Sequence, residues 1–165
     1  MQRVASAEWI GTLKDGIGKV TLLGGGILDL PYSYDSRFKG NTGTSPEEWI
    51  AAAHASCFNM SLSEELEKLN LNPTSLHTDA TVTIGKEYGR WSVTQIHLDV
   101  FAVVPGVTLE DFHRAATIAK AQCPMSRLLD TEITLEASLL NKPKQPTLLI
   151  GREIHTQHSN SASVA

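Results

Sequence analysis

Two cysteines, Cys57 and Cys123, are the residues of this chain best suited to covalent chemistry. A thiol becomes a good nucleophile when a nearby cation or a helix amino terminus lowers its pKa. Cys57 lies in an apolar stretch that raises a thiol's pKa, although His54 shares its helical face and Arg37 precedes the helix. Cys123 comes directly before Pro124, a residue typical of the first helical position, so helix amides are available to a thiolate there. The two thiols are therefore a redox pair or, as cysteines more often are, two buried core residues.

Composition narrows the functional classes. The 165 residues suit one globular domain, and 14 Lys and Arg against 18 Asp and Glu leave a net charge of −4, which disfavours nucleic acid and anionic membranes as partners. Two cysteines are too few for a four-cysteine zinc site. The first residues lack the apolar region of a signal peptide, so we expect a cytoplasmic protein whose thiols are kept reduced.

The hydrophobic periodicity and turn signals predict an α+β fold with mostly antiparallel sheets and a long central helix. Residues 1–140 form one domain, and 141–165 form a tail that we expect to be partly disordered, with at most a short ordered piece at 147–150. Helices are predicted from 46 to about 70, from 108 to about 122, and in a short piece from 124. Strands are predicted at 4–11, 18–23, 27–30, 76–84, 91–103 and 133–140.

The long helix and the loop before it bring together several candidate residues. Residues 31–44 are polar and rich in turn formers, which predicts a loop that carries Arg37. Ser45 and Glu48 match a capping box at the helix start. The first half of the helix is so apolar that its own domain or another subunit must cover almost every side. Glu47 precedes Cys57 by ten residues, about 15 Å of helical rise, so these side chains share a site only if the helix bends or Glu47 comes from another subunit.

Two segments carry a resemblance to a known family: RFKGNTGTSPEEWIAAAHASCFNMSLS at 37–63 and AKAQCPMSR at 119–127. They closely resemble the OsmC/Ohr family of hydroperoxide-detoxifying proteins, named for osmotically inducible protein C and organic hydroperoxide resistance protein. The likeness extends from about Ala5 to Leu140, and the loop arginine twenty residues before the first cysteine is closer to the OsmC branch. It implies an OsmC-like fold in an intertwined homodimer with active sites at the subunit interface.

The resemblance also implies roles for individual residues. Cys57 matches the peroxidatic cysteine and Cys123 the resolving cysteine. Arg37 matches the arginine that stabilises the thiolate and polarises the peroxide, although a loop arginine is more commonly a surface charge. Glu47 matches the glutamate that holds this arginine, although an acidic residue in a first helical turn also suits the helix dipole. No metal or bound cofactor is implied; the reductant is an external dithiol, of lipoyl type or on a lipoylated protein.

The expected function is a thiol-dependent peroxidase that passes through a Cys57 sulfenic acid and a Cys57–Cys123 disulfide recycled by a dithiol. The alternative is a non-catalytic dimer that binds a small molecule or senses redox state. We expect His54 to pack or to hydrogen-bond at the subunit interface rather than to act as a base, and His155 with His158 is weak evidence for a metal site. Apolar residues predicted to favour organic hydroperoxides over hydrogen peroxide are Phe38, Trp49, Ile50, Phe58, Met60 and Met125.

Overall fold

The computed structural model describes residues 1–144 and confirms the α+β class, with two three-stranded sheets and four helices among these residues. In chain order the elements are β1 Ala5–Ile10, β2 Ile17–Leu22, β3 Ile27–Ser33, α1 Tyr34–Phe38, α2 Pro46–Lys68, β4 Ser75–Glu87, β5 Arg90–Val103, α3 Leu109–Gln122, α4 Pro124–Leu128 and β6 Glu132–Leu139. No helix within 1–144 is long and apolar enough to cross a membrane. From residue 145 onward, the predicted tail lies outside the described residues, and so do His155 and His158.

Each sheet follows from the length of its connections. Short turns join β1, β2 and β3, and another joins β4 to β5, so these neighbours pair antiparallel. Between β5 and β6 the chain passes through α3 and α4, and this longer crossover lets β6 pair parallel with β5. The sheets are therefore mostly antiparallel, as predicted.

The hydrophobic core lies between the second sheet and the two longer helices. Every second residue of β5 from Ile96 to Ala102 is fully buried, as expected for a strand with one face on a core. Phe58, Leu62 and Leu66 of α2 and Phe112 of α3 complete this layer. Because α2 and α3 share this core, the middle of α2 is held beside the start of α4, where the two cysteines lie.

The prediction of a continuous loop over residues 31–44 is wrong. β3 extends to Ser33, and α1 follows at once, so Arg37 is presented by a helix. The side chain of Ser33 accepts from the backbone N–H of Ser36, and the hydroxyl of Ser36 accepts from the N–H of Ser33, which forms a reciprocal cap. The Ser36 hydroxyl also lies 2.8 Å from the carbonyl oxygen of Thr44, which ties the remaining loop back onto α1.

The predicted start of α2 is confirmed. Ser45 is the N-cap, Pro46 occupies the first turn, and the carboxylate of Glu48 accepts from the Ser45 N–H at 3.0 Å. The helix then continues without interruption to Lys68. Its first turn therefore places Glu47 at a fixed distance along the axis from Cys57.

Replacement of Ser45 by alanine should lower the free energy of unfolding by about 1 kcal/mol, because the N–H of Glu48 loses its side-chain acceptor. Urea unfolding followed by circular dichroism measures this change. Thr117→Ala is the matched control, since this exposed hydroxyl only bonds to a carbonyl of its own helix. Equal stability of the two variants would contradict the capping role.

Candidate active site

The fold brings Cys57 and Cys123 into contact across 66 positions of sequence. Cys57 lies in the middle of α2 and is partly exposed, whereas Cys123 is the N-cap of α4 and is fully buried. Both are free thiols, and they lie close enough for each to change the pKa of the other. This contact places the two sulfurs where a disulfide can form after a local change at one of them.

The surroundings of the two sulfurs favour one thiolate, on Cys123. Burial raises the pKa of Cys57, and the backbone N–H of Met125 offsets this only in part. Burial also opposes ionisation of Cys123, but the backbone N–H of Ser126, the Cys57 thiol, the N–H of Met125 and the Ser126 hydroxyl lie close enough to its sulfur to favour the thiolate. Together these donors lower the pKa of Cys123. The charge that bears on Cys57 is that of the Cys123 thiolate, which raises the pKa of Cys57 further.

Arg37 and Glu47 form a second cluster. The Nη2 of Arg37 lies 2.6 Å from Oε1 of Glu47, and its Nε lies 3.0 Å from the same oxygen. The Glu47 side chain is only 12% exposed and that of Arg37 35%, so this pair is better shielded from water than a surface ion pair. The guanidinium carbon is also 5.0 Å from the ring centre of Phe38, which limits the directions it can take.

The two clusters do not meet within one protomer. Glu47 and Cys57 lie on the same uninterrupted helix, and ten residues of rise separate them by about 15 Å. Arg37, held by Glu47, stays at the amino-terminal end of α2. The structure thus joins the cysteines to each other and the arginine to the glutamate, but leaves Arg37 away from the Cys57 of its own chain.

Open grooves lie on both sides of Arg37. One, of about 290 Å³, is mainly apolar and is bounded by α1 and the first sheet, with Trp9, Tyr32 and Phe38 among its walls. The other, of about 350 Å³, lies along the start of α2 and the edge of β4 and includes Glu47. Arg37 therefore borders an apolar groove near α1 and a second groove along α2, and each has room for a small molecule.

The six predicted apolar residues lie in different surroundings. Phe38 stacks beneath Arg37, and the backbone of Met125 donates to Cys57. Trp49 and Ile50 are half-buried near the start of α2, and the indole N–H of Trp49 is buried without a partner within 1–144. Phe58 is fully buried in the core, and Met60 is 76% exposed on the outer face of α2.

The sequence gives no role to Ser126 and predicts that His54 packs or hydrogen-bonds at the subunit interface; the structure places its hydrogen bond within the protomer, to Ser126. His54 is fully buried, and its Nε2 lies 2.9 Å from Oγ of Ser126, which in turn lies close to the Cys123 sulfur. Burial also lowers the pKa of His54, which keeps its ring neutral at pH 7. The available signal was spacing: His54 precedes Cys57 by three residues, and Ser126 follows Cys123 by three.

Within residues 1–144, no three His, Cys, Asp or Glu side chains are grouped so as to hold a metal ion. What these residues offer is a pair of thiols in contact, amides that stabilise a thiolate, and a separate arginine held by a carboxylate. Such a set is suited to thiol redox chemistry.

Comparison with known proteins agrees with this chemistry. Residues 39–138 match the family model described as OsmC-like protein. The chain is 40% identical to "Peroxiredoxin OsmC" of Escherichia coli (strain K12) over 139 residues, which cover 84% of this chain and 97% of that protein. The protein of the same description from Shigella flexneri matches equally well.

Solved structures share the fold. The organic hydroperoxide resistance protein OhrB of Bacillus subtilis superposes with a TM-score of 0.65 at 22% identity, covering 82% of this chain and 98% of that one. An organic hydroperoxide resistance protein from Elizabethkingia anophelis gives a TM-score of 0.61 at 24% identity, covering 85% and 99%. Family model, sequence identity and fold agree, and the chain belongs to the OsmC-like protein family.

Proposed function

We propose that this protein is a cysteine-dependent peroxidase that reduces organic hydroperoxides. The observation that carries the proposal is the contact between Cys57 and Cys123, one partly exposed and one buried. An exposed thiol can meet a peroxide, and a buried neighbour can capture the oxidised sulfur before a second peroxide reaches it. The similarity to a protein named peroxiredoxin and to organic hydroperoxide resistance proteins supports the same activity.

The proposal requires a cation near Cys57, because its pKa is raised in the single protomer and a neutral thiol reacts slowly. Arg37 cannot supply it from the same chain while Glu47 holds it about 15 Å along α2. The simplest completion is a homodimer in which Arg37 and Glu47 of one protomer approach Cys57 of the other. Glu47 then keeps the guanidinium extended while its remaining N–H groups face the thiolate and the peroxide.

Exposed apolar surface in the single protomer supports such a dimer. Of residues 1–33 only Gly16 and Gly18 are fully buried, so the first sheet has almost no core of its own. Large apolar side chains on it face outward, including Ile10, Ile17 and Leu28. On α2 an exposed strip of small and apolar residues runs past Cys57: Ala52, Ala53, Ser56 and Met60. Apolar surface of this extent is typical of an interface between protomers.

The reaction follows from thiol chemistry. The Cys57 thiolate attacks the distal oxygen of ROOH, the O–O bond breaks, and the alkoxide leaves as ROH after taking a proton. Cys57 is then a sulfenic acid, and Cys123 attacks its sulfur to give the disulfide and water. A dithiol reduces this disulfide through a mixed disulfide, which returns both thiols.

Substrate preference and reductant belong to the same proposal. The apolar groove beside Arg37 and Phe38 favours the alkyl part of an organic hydroperoxide over hydrogen peroxide. The reductant is an external dithiol of lipoyl type, free or on a lipoylated protein. Turnover needs a reduced thiol pool, which fits the cytoplasm.

Reduced protein mixed with one equivalent of cumene hydroperoxide should lose peroxide and two thiols together, and continue to consume peroxide when a dithiol is added. Cys57→Ser should abolish consumption, whereas Cys123→Ser should consume one equivalent and stop at the sulfenic acid. Peroxide and thiols are measured in parallel. Normal consumption by Cys57→Ser would disprove the mechanism, and a wild-type protein that oxidises once without turnover under dithiol would instead indicate a sensor.

Arg37→Ala should raise the pKa of Cys57 and lower the rate of peroxide consumption about a hundredfold, because the thiolate loses its cation. Arg37→Lys should recover only part of the rate, since an ammonium group lacks the planar donor set. The matched control is Lys39→Ala, which removes a nearby exposed cation that pairs with Asp35. Equal rates for the Arg37→Ala and Lys39→Ala variants would exclude the role of Arg37.

Mixed dimers test whether the site is shared. Arg37→Ala and Cys57→Ser should each be inactive alone, yet after co-expression the mixed dimer contains one intact site, and roughly a quarter of all sites should be active. Mixed dimers purified through two different affinity tags should have half of their sites active, and their activity measures this fraction. No recovery in the mixed dimer would show that Arg37 and Cys57 act within one chain.

A further inference from the structure

His54 is a buried titratable residue that the proposed reaction does not use. Its side chain is fully buried one turn before Cys57, among the apolar residues that join α2 to the rest of the core. Its ring has one polar contact within 1–144, at 2.9 Å between Nε2 and the hydroxyl of Ser126, while Nδ1 is buried without a partner. A buried polar group with a single directed contact is costly to keep unless that contact has a use.

Ser126 connects this ring to the cysteines. It lies in the first turn of α4, three residues after Cys123, and its backbone N–H and its hydroxyl are close enough to the Cys123 sulfur to lower the pKa of that thiol. The Cys57 thiol lies beside Cys123 and acts in the same direction. A continuous chain of polar contacts therefore runs from His54 through Ser126 to both sulfurs.

The donors in this chain have one consistent direction. A hydroxyl has one hydrogen, so when Ser126 donates to Cys123 it must accept from His54. The neutral ring then carries its hydrogen on Nε2, and Nδ1 keeps a bare lone pair. The opposite tautomer would bury an N–H donor without an acceptor, which proteins rarely tolerate.

We propose that His54 and Ser126 are positioning residues for the resolving step: their contact ties α4 to α2, directs the Ser126 hydroxyl toward Cys123 and keeps Cys123 facing Cys57. This inference rests on the proposed peroxidase function and adds to it a division of labour. Arg37 acts on Cys57, whereas the buried His54 and Ser126 act on Cys123.

The step is balanced without a further reactant. The Cys123 thiol first loses its proton to solvent, and the thiolate electron pair then forms the S–S bond as the S–O bond of the Cys57 sulfenic acid breaks. The departing hydroxide takes up one proton, so the sum is one sulfenic acid and one thiol giving one disulfide and one water. His54 stays neutral throughout, and its part is to direct the Ser126 hydrogen.

Among residues 1–144, few other groups can change the ionisation of Cys123. The titratable groups that face Cys123 are Cys57, in direct contact from α2, and His54, acting through Ser126 from the same helix. No charged side chain within 1–144 contributes to the ionisation of Cys123. Changes at Ser126 or His54 should therefore be read directly in the behaviour of this thiol.

The test separates the two chemical steps in rapid-mixing experiments on the full-length reduced protein. Cumene hydroperoxide loss reports the first step, and loss of the second thiol reports disulfide formation. Ser126→Ala and His54→Leu should slow the second step about tenfold relative to the first at pH 6, with a dimedone-reactive Cys57 accumulating. The defect should disappear near pH 10, where Cys123 is ionised in every variant.

Conservative variants distinguish positioning from packing. Ser126→Thr keeps the hydroxyl and His54→Gln keeps an N–H donor near the position of Nε2, so both should restore much of the second rate. Thr78→Val is the matched control, because it removes a comparable hydroxyl contact to α2, with Asn59 at 2.6 Å, that comes from β4 rather than from α4. A control variant as slow as Ser126→Ala in the second step would contradict a specific role.

The outcomes also separate this inference from the proposed function. A wild-type protein that forms no Cys57–Cys123 disulfide with peroxide refutes the peroxidase mechanism. If the wild-type protein forms the Cys57–Cys123 disulfide, and the Ser126→Ala or His54→Leu variant forms it equally fast at pH 6, the positioning role alone is refuted.

Discussion

A single rigid helix separates the parts of this site. α2 carries Glu47 in its first turn and Cys57 ten residues later, and its unbroken hydrogen bonding keeps them about 15 Å apart. Glu47 holds Arg37 at the amino-terminal end of α2 through two short hydrogen bonds. The protomer consequently holds its cation at one end of the helix and its thiols in the middle. Two antiparallel copies of such a helix would place each cation beside the other copy's thiol, which is why the proposed chemistry depends on assembly.

The thiol pair has an electrostatic asymmetry that assembly would reverse. In the single protomer, amides and a hydroxyl stabilise charge on buried Cys123, while burial raises the pKa of Cys57. An added guanidinium near Cys57 would shift the charge toward the exposed sulfur, which is where a peroxide can reach it. After oxidation of Cys57, the donors around Cys123 again favour a thiolate there. The same two residues can thus be first and second nucleophile in turn.

How far the sequence predicts the molecule depends on the range of the contacts involved. The cap at Ser45 and the alternation along β5 are local patterns, and both are found where the sequence predicts them. α1 was missed because its capping residues, Ser33 and Ser36, lie among polar turn formers that mask a five-residue helix. The pairing of His54 with Ser126 joins residues 72 positions apart; their spacing from the two cysteines marks them as neighbours of the thiols but does not predict that they contact each other. The family resemblance supplied the roles of the cysteines, and the packing of α2 against α3 and α4 supplies their contact.

In the proposed dimer, Arg37 of one protomer stabilises the Cys57 thiolate of the other. The most direct measurement is the distance from Cys57 Sγ to the nearest Arg37 guanidinium in a crystal structure of the assembled, reduced protein. We expect Arg37 of the second copy within about 6 Å of Cys57, with Arg37 of the same chain remaining on Glu47. A structure in which each Cys57 is approached by the Arg37 of its own chain, or by no cation at all, would contradict the shared site.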